Sequence, residues 1–335
     1  VLEPAVNAAR DGIVLNSSQS YLIKILEPIL THSNGGKVLF SPNGKLLKKD
    51  DRFKNPKFAD LLEILVAEGH MYFYEKDGAK LILNTVGEKG LLTKEGLALY
   101  RVAERVPLKS EFRGKTIYTN PAPAIGGTLI TFFLQLLERS KTGTKSELID
   151  LIRAMQITSA ARREISIDMN NEFQISQLLE PRTFSHYLRL FDSGSTPSQN
   201  EKDPVSRGAT THLSVIDKHG NAASVTTTNG EGCGYIIPEL GMMLNNMLGE
   251  EDLNPMGFHQ WAHQRRLPTM ISPTIVMGKK GVELVLGSGG SNRLRSAISQ
   301  VILNLFAKKW ILKLLYTKPG SIWKEMCSIM SLEQS

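Results

Sequence analysis

Hydrophobic positions recur at helical spacing through the first part of the chain and at alternating spacing after it. Residues 1–10 read as a helix that stops at Asp11-Gly12, and residues 21–30 as a second. Asn55-Pro56 opens an amphipathic helix with Phe58, Leu61, Leu62, Leu65 and Val66 on one face and Gly69 at its C-terminal cap. Thr93 caps a helix over 94–102, with Glu95 favourably placed in its first turn. Residues 115–119 form a short strand. The stretch 120–127, NPAPAIGG, is read as irregular because prolines and glycines punctuate it. Apolar helices follow over 128–137 and 146–163.

Residues 193–208 are polar, with almost nothing to bury, and read as an exposed linker. Beyond them the pattern changes abruptly. Residues 211–217 and 221–228 are β-branched runs separated by Lys218-His219-Gly220, a hairpin signal. A strand over 281–286 enters the turn Gly287-Ser288-Gly289-Gly290-Ser291. That turn leads into a helix with Ile298, Val301, Ile302, Leu305 and Phe306 inward.

Composition adds limits. In 335 residues, 41% are hydrophobic and 22% charged, which excludes a disordered or collagen-like chain. No apolar run approaches the ~18 residues of a bilayer span. Two cysteines, Cys233 and Cys327, cannot build a disulfide framework or a Cys-rich zinc site. The formal net charge of +7 would suit an acidic partner. Five lysines against two glutamates after residue 307 supply much of that excess. The basic stretch 45–57 also holds Asp50 and Asp51 and lacks interleaved aromatics, so a solvated loop explains it better than a nucleic-acid site.

Three features could carry chemistry. Thr210 stands where the linker meets the first strand of the hairpin. Cleavage before it would give it a free α-amine of pKa near ~8, able to act as base for its own hydroxyl. Threonine is also common at strand starts. The turn 287–291 could aim backbone N–H groups at a phosphate or an oxyanion, or could need glycine only for its backbone angles. His259 and His263 have the spacing of a zinc-binding helix. Gln260 replaces the general-base glutamate, so ordinary helix histidines are the better reading. His212 most simply makes a structural hydrogen bond.

Together these elements resemble the γ-glutamyltranspeptidase family of N-terminal-nucleophile hydrolases. Residues 208–228, GATTHLSVIDKHGNAASVTTT, fit its TTH-x-S-V-x-D-x-x-G-N-A pattern. Leu244-Asn245-Asn246, Ser272-Pro273-Thr274-Ile275-Val276 and the turn 287–291 follow in the family's order. LLTKEGLALYRVAERVPL from Leu91 and the NPAPAIGG loop match upstream.

The resemblance implies an α+β fold, the four-layer αββα sandwich. It implies a precursor that cleaves itself between Ala209 and Thr210. Residues 1–209 would then be the later part of a mainly helical large subunit, with linker 193–209, and residues 210–307 the catalytic part of the small one. It further implies that Thr210 attacks glutathione or another γ-glutamyl compound and passes the acyl group to water, an amino acid or a peptide. No metal or organic cofactor is implied, and neither a nucleic-acid partner nor a membrane span. Thr228 matches the threonine that supports the nucleophile, and the N–H groups of Gly290 and Ser291 match the oxyanion hole.

Substrate positions fit less well. The family's asparagine falls at Gly230 beside Asn229, its glutamine at Met247, its acidic residue at Glu250 and its paired serines at Thr269 and Met270. Recognition is therefore expected to use Asn229, Glu250, Glu251 or Asp252. A related acylase with another amide substrate is the alternative, or an inactive fragment that cannot mature. The family's chain extends upstream of Val1, where a signal region and a substrate-clamping arginine belong, so this sequence reads as a fragment or truncated product. A periplasmic or secreted location is implied only by resemblance.

The motif likeness stops at Phe306. One permissible back-translation of the tail 308–335, shifted in frame at Lys309-Trp310, encodes MDIKTAIHKARIHLEG, which looks like the family. A frameshift near 308–310 is therefore expected, against a plain amphipathic tail.

Overall fold

The computed structural model describes residues 1–87, 90–141, 148–165, 174–195, 210–254, 257–290 and 294–308. They fall into two compact units. One joins Val1–Arg105 to Thr228–Glu250. The other joins Val106–Ser206, Thr210–Thr227 and Glu251–Ser335. Both units draw on chain from either side of Thr210.

The first unit is mainly helical. Asn55 Oδ1 accepts from Phe58 N at 3.1 Å and caps the helix Pro56–Glu68, which Gly69 closes at φ +74°. Leu61 and Leu62 are buried as the apolar stripe requires, but Val66 is 67% exposed. The helix Glu3–Asp11, which packs on Ala59 and Leu62, is shorter than its partner, so the last turn stays uncovered. The single helix expected over 21–30 is two, Ser17–Ile25 and Glu27–Leu30. Pro28 cannot donate to the preceding turn. The helix expected over 94–102 ends at Leu99. Arg101 Nη1 donates to the carbonyls of Ala98 and Tyr100, both at 2.7 Å, and takes the place of helical donors.

Helix Pro56–Glu68 anchors the second segment of this unit. Asn55 Nδ2 donates to Gly241 O at 2.7 Å in a buried bond. Ile237 and Leu240 pack with Leu61, Tyr72 and Ile82. Thr228–Glu250 is thus a loop-rich segment pinned to a helical base.

The second unit is built on an antiparallel sheet ordered Gly281–Leu286, Thr274–Gly278, Lys115–Thr119, Leu108–Phe112. Ile117 pairs with Val276, and both are fully buried. Helix Ile125–Arg139 is predominantly apolar and is buried along most of its length, with Gln135, Glu138 and Arg139 as its less buried polar positions. Around it pack Leu148–Glu164, Pro181–Asp192 and Leu294–Phe306. Phe132 meets Phe184 and Tyr187 edge-on, each at 5.5 Å.

Ile125, Gly126 and Gly127, expected in an irregular loop, form the first turn of this helix. The glycines serve packing there. A Cβ on Gly126 would collide with Ser272 Oγ and Met270 O, and one on Gly127 with Asn120 O. Tertiary approach overrides their low helix propensity.

Candidate active site

The hairpin Thr210–Ile216 and Ala222–Thr228 begins at the expected nucleophile. Asp217 closes its turn. Asp217 Oδ1 accepts from His219 N at 2.8 Å and Asn221 N at 2.9 Å, and Oδ2 accepts from Asn221 Nδ2 at 2.8 Å. The Asn221 side chain, then the backbone donors, hold this carboxyl below the usual carboxylate range.

The hairpin reverses the ordinary sheet pattern. Leu213, Val215 and Val225 are exposed, while the half-buried positions carry Thr210, His212, Ser224, Thr226 and Thr228. Polar groups face inward, so the covered side is a chemical surface rather than a core.

Those groups are wired together. His212 Nδ1 lies 2.8 Å from Thr226 Oγ1 on the neighbouring strand, and Nε2 lies 2.8 Å from Ser214 Oγ. Burial pushes the imidazole below its ordinary pKa, favouring the neutral ring. Ser224 Oγ donates to Leu286 O at 3.0 Å and accepts from Thr274 N at 3.1 Å, which ties the hairpin to the end of the sheet.

The glycine-rich turn leaves that sheet edge and lies directly on the first hairpin strand. A Cβ on Gly287 would collide with the His212 ring, and one on Gly289 with the Thr210 carbonyl oxygen. Gly290 adopts φ +109°, a region that favours glycine. Ala209 and Ser291, the other members expected at the cleavage bond and the oxyanion hole, lie outside the described residues.

The expected recognition residues gather in the first unit. Gly230 is buried at φ +65°, and its N–H donates to Thr228 Oγ1 at 3.0 Å. The space a side chain would fill there is taken by Asn246 Oδ1 and Glu250 Oε1. Asn246 Oδ1 also accepts from Glu231 N at 2.7 Å and Gly232 N at 3.2 Å, and Asn246 N donates to Asn229 O at 3.0 Å. Glu250 is half-buried and Asn229 exposed.

Other expected positions belong to the second unit. Glu251 is exposed on the short turn Glu251–Leu253 of the second unit, and the side chain of Asp252 is not among those described. The Thr269 carbonyl accepts from Ile125 N at 2.8 Å, and Met270 is buried in the apolar core. His259 and His263 sit in exposed turns rather than a helix, His259 at φ +61°. Among the described residues, no group of three or more His, Cys, Asp or Glu could hold a metal ion. No helix among them is long and apolar enough to cross a membrane.

Asn246, Ser224 and Thr226 were not singled out for a role from sequence. Their signals were present: an Asn-Asn pair after an apolar run, and hydroxyls at alternate positions on one strand face.

The fold is that of the N-terminal-nucleophile hydrolases, the α+β class of the αββα sandwich. Cephalosporin acylase from Bacillus halodurans superposes with a TM-score of 0.72 at 19% identity, over 90% of this chain and 58% of that one. The sequence model of the Gamma-glutamyltranspeptidase family matches residues 1–335, and the chain belongs to that family. The match includes the tail, beyond the Phe306 limit read from the motifs.

The glutathione hydrolase proenzyme of Escherichia coli K12 is 29% identical over 91% of this chain and 57% of its own length. The acylase ACY 1 proenzyme of Pseudomonas sp. SE83 is 27% identical over 100% of this chain and 62% of its own length. The chain thus spans little more than half of these curated relatives.

Proposed function

We propose that the protein is a self-processing acyl-transfer enzyme acting on γ-glutamyl amides such as glutathione, with Thr210 as nucleophile. Residues 1–209 and 210–307 would be the contributions of this chain to two subunits cut from one precursor. The observation that carries this reading is the seating of the glycine-rich turn on Thr210. A Cβ on Gly289 would collide with the Thr210 carbonyl oxygen, and this close approach supports a role for the turn's backbone N–H groups as oxyanion donors.

Once the bond before Thr210 is cut, the new α-amine takes the proton of Oγ as Oγ adds to the substrate carbonyl. The N–H groups of Gly290 and Ser291 hold the developing oxyanion, and Thr228 supports the nucleophile by hydrogen bonding. Collapse expels the amine product with that proton and leaves an ester on Thr210. Water, an amino acid or a peptide then takes the acyl group by the reverse proton path. Asn229, Gly230 and Glu250 are the proposed donor-recognition groups.

A second reading, an acylase for another amide, is favoured by Met270 lying in the apolar core and by Gly230 lacking a polar side chain. Denaturing gel electrophoresis of the full chain tests the common core of both. Wild-type protein splits at Ala209-Thr210 and Thr210→Ala stays intact; an intact wild-type band overturns both. A panel of γ-glutamyl and non-glutamyl amides then separates them.

A further inference from the structure

Thr210 and His212 stand two residues apart on one strand, so their side chains share a face. The turn touches this face twice at the same interval. Gly287 packs on the His212 ring and Gly289 on the Thr210 backbone. The imidazole is held at both nitrogens, by Thr226 Oγ1 and Ser214 Oγ, each at 2.8 Å. A neutral ring has one donor and one acceptor, and two hydroxyls satisfy both. Just before the turn, Leu286 O is fixed by Ser224 Oγ at 3.0 Å.

We infer that His212 is a positioning residue whose clamped ring is the seat for the Gly287 end of the turn. It thereby sets the spacing between Thr210 and the backbone donors that follow. His212 exchanges no proton with substrate. It acts through the turn, and Gly287 is its required counterpart because any side chain there meets the ring. The inference rests on the acyl-transfer reading above.

A displacement of this kind acts on the transition state more than on substrate binding, because the oxyanion forms only there. Gly287 does not adopt a left-handed φ, so the obstacle an alanine methyl meets first there is the His212 ring. The test is a double-mutant cycle in the full chain, with kcat and KM measured on a γ-glutamyl anilide beside unfolding midpoints. Gly287→Ala lowers kcat by roughly tenfold to a hundredfold, with KM changed less than about threefold.

His212→Ala lowers kcat as well, and His212→Gln, which can still bond a hydroxyl, recovers part of the loss. The double variant Gly287→Ala/His212→Ala loses at least about fivefold less than the product of the single losses, because the vacated ring admits the new methyl. Additive losses, equal loss in kcat and KM, or losses that follow only the unfolding midpoint overturn the inference. An intact, inactive wild-type chain instead overturns the function on which it rests.

Discussion

Removing the Asn246 side chain offers the most direct access to the loop proposed to recognise the donor. Its Oδ1 accepts from two backbone donors, Glu231 N at 2.7 Å and Gly232 N at 3.2 Å. Asn246→Ala removes both of these bonds while leaving the Asn246 N bond to Asn229 O in place. A neutral hydrogen bond contributes about 0.5–1.5 kcal/mol net, so two give about 1–3 kcal/mol. Gly232 N also donates to Asn229 O at 3.0 Å, so the larger share belongs to Glu231, which has the shorter bond. The loss is local. Amide hydrogen exchange read residue by residue is therefore the assay. Loss of the one bond at Glu231, about 0.5–1.5 kcal/mol in opening free energy, speeds exchange there by roughly twofold to thirteenfold, with a smaller increase at Gly232. Exchange at Ile237, in the pinned base, stays unchanged. Unaltered exchange at Glu231 refutes the view that Asn246 organises the loop. If the loop recognises substrate, the same variant raises KM more than it lowers kcat.

Phe132 is fully buried between Phe184 and Tyr187, and Phe132→Ala destabilises the second unit by about 3–5 kcal/mol, seen as a lowered denaturation midpoint. Gly289→Ala forces the turn away from the Thr210 carbonyl, and a shift of about 1 Å lowers turnover by up to about a hundredfold; wild-type kcat in this variant refutes the packing. The Asp217 carboxyl is depressed, so its stabilisation of the hairpin turn is present above the unfolded carboxyl value and lost as pH falls through the folded one. Amide shifts of His219 and Asn221 titrate together below the usual carboxylate range, and Asp217→Asn removes that titration; an ordinary midpoint counts against the turn.

Many of the secondary-structure elements were readable before the structure. The strand boundaries at Lys115–Thr119 and Gly281–Leu286 fell where β-branched runs and turn residues set them. Cap residues Asn55 and Thr93 also acted as read, since a side-chain oxygen three residues before an orphan N–H is a local matter. The errors were not local. Gly126 and Gly127 looked like helix breakers, yet they open the most buried helix because neighbouring backbone and Ser272 crowd in where a Cβ would be. His259 and His263 had helical spacing but no helix, because spacing cannot show whether a segment has partners to bury against.

Most element types, the hairpin around Lys218-His219-Gly220, the order of motifs that marks the family, and Thr210 as the residue to watch were legible in the chain alone. These depend on short-range geometry: caps, turns and periodicity act within a few residues. What the chain pattern could not show is that Gly287 and Gly289 approach the Thr210 strand, that His212 is clamped between two hydroxyls, and that Asn246 fills the space beside Gly230. Those contacts join residues far apart in sequence. They are settled by close packing, in which the absence of one methyl group fixes where another backbone can lie.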